Sequence, residues 1–135
     1  MKTPFAAIAL LSASLSLPGI TVAAPEQYVI DTEGAHAFIQ FRIKHLGYSW
    51  LYGRFNDFEG TFTYDPDDTS ASAIDVTVKT ASLDSNHAER DKHLRGEDFL
   101  EVDKYPTARF KTTSYKETGL DKSVLEGELT LKGVT

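Results

Sequence analysis

The sequence has no cysteine among its 135 residues, so disulfides and thiol chemistry are excluded. It also lacks G-x-S-x-G, H-E-x-x-H and a phosphate-cradling glycine loop, which are the short motifs of several common catalytic mechanisms. Basic residues are outnumbered, 14 against 20 acidic ones, and the formal net charge is −6. Such a charge argues against nucleic acid and against an anionic membrane surface as partners. These absences favour a binding protein over an enzyme, with no metal and no cofactor.

Long hydrophobic runs are also scarce, and the longest lies at the N-terminus. Lys2 precedes an apolar run of 13 residues from Phe5 to Leu17, and small residues follow. This pattern predicts a secretory signal peptide over residues 1–23, cleaved near Ala23, and hence export to the periplasm. The run is shorter than the roughly 20 residues of a membrane-spanning helix, so no stable membrane insertion is expected. Removing Lys2 with the leader takes the net charge to about −7 and leaves one domain, residues 24–135.

The rest of the chain alternates between apolar and polar residues, with the period of half-buried strands. Asp65-Pro66-Asp67-Asp68 has the composition of a hairpin loop, and Gly53 interrupts the longest alternating stretch. About six strands are predicted, at residues 27–31, 36–44, 58–64, 74–79, 107–116 and 125–132. Such a series of antiparallel strands can form a sandwich or a closed barrel.

One segment, residues 86–96, breaks the alternation and predicts a short helix. Asn86 and Glu89 have the spacing of a capping pair, and Gly96 suits the position just past a helix end. Only Ala88 and Leu94 are apolar within it, so packing alone barely explains its order. The sequence then stops within or just past a strand, which suggests a C-terminally truncated chain with an unpaired sheet edge.

Four ordered motifs together resemble the YceI-like family of exported bacterial proteins. They are His36-Ala-Phe38, residues 45–60 with their aromatic residues and glycines, residues 86–95, and Lys104-Tyr-Pro106 with Phe110. The resemblance implies a lipocalin-like, eight-stranded antiparallel barrel whose long apolar lumen holds a polyisoprenoid or a similar amphiphile. Family members are longer at the C-terminus, so the barrel is expected to be incomplete here.

The inward-facing apolar residues could form either a solid core or a lipid-filled lumen, and periodicity does not separate the two. The resemblance favours the lumen. The predicted ligand-binding residues are Ile39, Phe41, Ile43, Trp50, Phe62, Val76, Val78, Phe110 and Leu129. Trp50 belongs to an alternating aromatic set with Tyr48 and Tyr52, which could grip a ligand tail or simply plug one barrel end.

The densest polar cluster lies on the predicted helix. His87, Arg90, His93 and Arg95 are candidates for contact with a ligand head group, since arginine binds phosphate through two hydrogen bonds. A solvated helix with charges paired among themselves is the alternative. A metal site is disfavoured, because His87 and His93 lie six residues apart, on opposite sides of a helix. His36 and His45 are expected to be hydrogen-bonded rim residues.

The sequence thus predicts a periplasmic protein that sequesters or carries a long-chain isoprenoid or similar amphiphilic lipid, as a monomer or weak homodimer. Two alternatives remain. One is a hydrolase-type enzyme that acts on the lipid head group through His87, Glu89, Asp91 and His93. The other is a solid-cored structural or interaction barrel with no ligand.

Overall fold

The computed structural model describes residues 25–34 and 36–135, and the predicted signal peptide therefore lies outside the described residues. These described residues form eight strands, one helix and two short 3-10 turns. The strands are β1 (Glu26–Val29), β2 (Ile39–His45), β3 (Ser49–Phe55), β4 (Phe58–Tyr64), β5 (Ala73–Lys79), β6 (Leu83–Asp84), β7 (Thr107–Gly119) and β8 (Lys122–Thr130). The helix, α1, is Ala88–Arg95, and the turns are Thr69–Ala71 and Thr80–Ser82.

The strands form two antiparallel sheets. The larger has the order β1-β4-β5-β7-β8, and the smaller has the order β2-β3-β6. The predicted fold class, all-β with one short helix, is confirmed. Over residues 25–34 and 36–135, no hydrogen-bonded strand pair joins the two sheets, so these strands do not close into a barrel.

The predicted six strands miss β3 and β6. Gly53 was interpreted as a break, but β3 runs through it, because Gly53 lies directly opposite Phe41 and the phenyl ring occupies the space that a β-carbon would need. β6 has only two residues, too few to show a period.

Strand register places the apolar side chains of both sheets on their facing sides, because cross-strand partners point to the same face. In the larger sheet Val78 pairs with Phe58 and with Ala108, and Val76 pairs with Phe110. In the smaller sheet Phe55 pairs with Ile39 and with Leu83. The buried hydrophobic residues of the described chain are Val78, Leu83 and Ala108. The core is therefore small and lies where β5, β6 and β7 approach each other.

The helix begins one residue later than the predicted capping pair. His87 is its N-cap, and its Nδ1 accepts the Arg90 N–H at 3.2 Å. Asn86 instead has a positive φ of 60° and donates its N–H to Asp84 at 2.8 Å. Gly96 ends the helix as predicted, with its N–H on the His93 carbonyl at 3.0 Å. No helix in the described part of the chain has both the length and the apolarity to cross a membrane.

Candidate functional site

An apolar groove of about 370 Å³ lies between the two sheets. Twelve side chains line it and all of them are apolar. Five were among the predicted ligand-binding residues: Ile39, Phe41, Ile43, Val78 and Leu129. Several of these side chains are only partly covered, since Ile43 is 52% and Leu129 is 53% exposed. The described residues thus leave a substantial apolar surface accessible inside the groove.

Helix α1 and the segment after it cover one end of the groove, which the sequence interpretation missed. Leu94, Phe99 and Leu100 contribute the side chains, and the Leu100 N–H donates to the Leu94 carbonyl at 3.0 Å. Lys132, beyond β8, donates to the Glu97 carbonyl at 2.7 Å and so fastens this segment to the larger sheet. The sequence did contain a signal for this contact, because the apolar residues after α1 stand out in an otherwise charged stretch.

Three predicted ligand-binding residues lie on the inner face of the larger sheet but outside the groove lining. Val76 and Phe110 are cross-strand partners next to Leu129. Phe62 lies further along and stacks on Tyr28 with ring centroids 4.8 Å apart. Phe62 lines a separate apolar depression of about 140 Å³ with Ile74, Tyr115 and Leu125. The inner face therefore continues the groove as an apolar track toward β1.

Trp50 does not line the groove, and its predicted role as a ligand-binding residue is corrected here. It pairs with Lys44, and Tyr52 pairs with Arg42, on the face of the smaller sheet that points away from the groove. The guanidinium carbon of Arg42 lies 4.5 Å from the Trp50 ring centroid. Trp50 and Tyr52 do share one side, as their alternation predicted, but that side is the outer one. They form neither a lid nor a plug for the groove between the sheets.

Arg90 and Arg95, predicted to contact a head group, are engaged in holding the backbone together. Arg95 Nε donates to the Ala81 carbonyl at 2.9 Å, and its terminal nitrogen donates to the Leu83 carbonyl. Arg90 Nε donates to Ser85 Oγ at 2.7 Å. These bonds attach α1 to β6, and they explain how a helix with few apolar residues is ordered. Neither arginine lines the groove itself, although the carbonyl that Arg95 binds belongs to a groove-lining residue, Leu83.

The two histidines of the helix also have local partners. His87 caps the helix, as described above, and lies outside the groove lining. His93 Nε2 lies 3.1 Å from Asp98 Oδ2, and its ring meets Phe99 edge-on with centroids 5.0 Å apart. Of the four head-group candidates, His93 meets a groove residue, Phe99, through its side-chain ring, whereas Arg95 binds the backbone carbonyl of another groove residue, Leu83. The imidazole and Asp98 are both exposed, at the end of the groove that α1 covers.

Asp91 is the buried residue of α1, and Ser85 satisfies its carboxylate. The Ser85 N–H donates to Asp91 Oδ1 at 2.9 Å, and the Ser85 hydroxyl donates to the same oxygen. These hydrogen bonds lower the pKa of Asp91 below its ordinary value, although its burial acts in the opposite direction. The pKa of Asp84 is lowered as well, chiefly by the Asn86 N–H and then by Arg54 and Asn56.

These carboxylates are held ionised, which suits structural acceptors rather than proton donors to a leaving group. His87, Glu89 and His93, the remaining members of the enzyme alternative, also lie outside the groove lining. Within residues 25–34 and 36–135, no three His, Asp or Glu side chains converge as a metal site would require.

Comparison with known proteins places the chain in a family. Residues 28–135 match the model of the YceI-like domain. A UPF0312 protein of Pseudomonas aeruginosa strain LESB58 is 58% identical over all 135 residues, which cover 69% of that relative. A solved YceI protein of Campylobacter jejuni is 35% identical, with a TM-score of 0.61 over 76% of this chain and 60% of its own.

A further solved structure, Burkholderia cenocepacia BcnA, shares the fold. Its TM-score is 0.70 at 23% identity, over 76% of this chain and 64% of its own. The chain therefore spans 60% to 64% of the length of these two solved structures.

Proposed function

The chain belongs to the YceI-like family, and from that premise we propose that it binds the apolar tail of a long-chain amphiphile, foremost an isoprenoid, between its sheets. The observation that carries the proposal is the groove, whose lining is entirely apolar and partly exposed. Soluble proteins rarely leave a contiguous apolar surface open unless something binds there. A flexible hydrocarbon tail can cover these apolar side chains, and it needs no hydrogen-bonding partner in the groove.

The energetics of this binding are sufficient. Each methylene that leaves water contributes about 0.8 kcal/mol, so roughly ten of them match the about 8 kcal/mol of a micromolar complex. Ordering of the tail offsets part of that gain, and a longer tail is therefore favoured over a short one. The apolar track from the groove toward Phe62 offers room for such length.

The polar head is proposed to stay at the groove end near His93 and Asp98, in contact with water. His93 touches Phe99 of the groove wall, so a hydroxyl or phosphate on the bound chain could reach the imidazole. The mechanism is sequestration, in which no bond is made or broken. With the predicted signal peptide, the protein would carry or store its lipid in the periplasm.

The test is organic extraction and native mass spectrometry of the purified protein, followed by uptake of octaprenol from detergent micelles. We expect a bound lipid mass, or saturable uptake if the protein is purified empty. Leu129→Asp, inside the groove, should abolish uptake, whereas Thr130→Asp, the next residue on the opposite face, should retain it. An empty wild-type protein without uptake would refute the proposal, and equal uptake by both variants would refute the location.

A further inference from the structure

The hairpin formed by β2 and β3 carries a positive charge that the net charge of the chain conceals. Residues 36–56 contain Arg42, Lys44 and Arg54 and no aspartate or glutamate, in a chain with 20 acidic residues. Arg54 pairs with Asp84 at 3.2 Å, but Arg42 and Lys44 form no ion pair with any described residue. The net charge argued against an anionic membrane as partner, yet the outer face of this hairpin is locally cationic.

The tip of the same hairpin exposes apolar side chains. Leu46 is 77% exposed and Tyr48 is 94% exposed. Leu46 also has a φ of 49°, in the left-handed region that a branched apolar residue rarely adopts. Asparagine or glycine would suit this position better. The turn thus holds a leucine that is mostly exposed to water, at a conformational cost.

Aromatic residues complete the surface, hereafter the hairpin surface (Arg42, Lys44, Leu46, Tyr48, Trp50 and Tyr52). Trp50 is 47% exposed and Tyr52 is 60% exposed, beside Lys44 and Arg42. Exposed tryptophan and tyrosine next to lysine or arginine are typical of groups that settle at the headgroup level of a bilayer. Leu46 and Tyr48 would enter the acyl boundary, as in proteins that lie on a membrane.

We propose that the hairpin surface docks the protein on the surface of an anionic phospholipid bilayer. Charge complementarity selects this partner, because Arg42 and Lys44 lie on the outer face without an ion pair, while Asp84, on the same face, is already paired with Arg54. Attraction to anionic lipid acts within a Debye length, about 10 Å at 0.1 M salt, so the local charge outweighs the distant negative charge. The inference goes beyond the proposed function, since it concerns the outer face rather than the groove.

The location nevertheless suits a lipid carrier. Ile43 lines the groove, and it lies on β2 only two residues before His45, where the strand ends. At about 3.4 Å per residue, the hairpin tip is roughly 10 Å from this part of the groove. A bilayer that receives the tip would thus lie close to the open groove.

The test is vesicle flotation of the purified chain with phosphatidylcholine vesicles that contain, or lack, phosphatidylglycerol. Trp50 is the single tryptophan of the chain, so a blue shift of its fluorescence reports docking at this surface. We expect binding to the anionic vesicles alone, weakened by salt, and accompanied by the blue shift. Lys44→Gln should weaken it about fivefold, as expected for one cation at an anionic surface.

Leu46→Asn removes the apolar side chain and suits the left-handed backbone, so this variant should fold at least as well as the wild type. It should bind the vesicles at least tenfold more weakly. Leu120→Asn is the matched control, because Leu120 is 94% exposed at the β7–β8 turn, beside Asp121. This control should bind as the wild type does.

Three results would overturn the proposal. The first is equal binding to vesicles with and without phosphatidylglycerol, and the second is binding without a shift of Trp50 fluorescence. The third is that Leu46→Asn abolishes self-association but leaves vesicle binding unchanged. The partner of the hairpin surface would then be a second copy of the chain. The Leu129→Asp variant, whose groove should no longer bind a lipid tail, should still dock on the vesicles. Failure of tail binding can therefore be distinguished from failure of membrane docking.

Discussion

Ile43→Asp is the substitution that most sharply separates binding from folding. Ile43 lies in the groove wall but is 52% exposed, so an aspartate there stays hydrated and should cost at most about 1 kcal/mol of folding stability. A bound tail would remove that water. Losing the half-buried isoleucine contact costs about 1 kcal/mol, and dehydrating an unpaired carboxylate costs at least about 2 kcal/mol more. The sum, about 3 kcal/mol, predicts affinity at least 100-fold lower.

The assay is fluorescence titration with N-phenyl-1-naphthylamine as the apolar probe, with displacement by octaprenol and a thermal melt of each variant in parallel. Gln40→Glu is the control, because it places a carboxylate on the outer face of the same strand, opposite Arg54. It should bind the probe as the wild type does. Unchanged affinity in Ile43→Asp, with the fold intact, would show that the tail does not occupy this groove.

Arg95→Ala should lower the free energy of unfolding by about 2 kcal/mol, because the Ala81 and Leu83 carbonyls lose their donor, while exposed Lys92→Ala should be nearly neutral in urea denaturation. If Arg95→Ala is stable but binds octaprenol more weakly, Arg95 contacts the lipid head group instead. Gly53→Val should push the Phe41 ring from its place and cost about 1–3 kcal/mol, with reduced probe capacity. Since the folded-state pKa of Asp91 is depressed, its stabilisation is full above about pH 4 and is lost as pH falls through the folded-state pKa. Melts at decreasing pH should show this loss and a flatter profile in Asp91→Asn, and equal profiles would contradict it.

The strands were predictable where one face is apolar and the other polar. The alternation on β2, β5 and β8 predicted these strands, and the five predicted residues that line the groove lie on them. The position of Trp50 was predicted wrongly for a physical reason. The sequence alone does not distinguish a tryptophan that stacks on Arg42 at the surface from a tryptophan that is buried in the groove. The period gives the relative side of each residue but not which side faces inward.

The polar cluster of α1 was harder to interpret, because its partners lie on a different segment. Arg90 and Arg95 bind backbone and hydroxyl oxygens of residues 81–85, and no local spacing encodes such contacts. Asp91 is buried for the same reason, against Ser85. Leu94, Phe99 and Leu100 became groove residues only because those bonds hold the helix and the following segment over the sheets. The alternative of a helix with locally satisfied charges was closer to the structure than head-group contact.

Photocrosslinking with a long-chain isoprenoid that carries a diazirine near the middle of its tail tests the central claim most directly. The account predicts saturable labelling of groove residues such as Phe41, Leu94 and Leu129, mapped by peptide mass spectrometry and competed by unlabelled octaprenol. Labelling confined to Tyr52 and the outer face of the smaller sheet, or labelling that octaprenol does not compete, would contradict it.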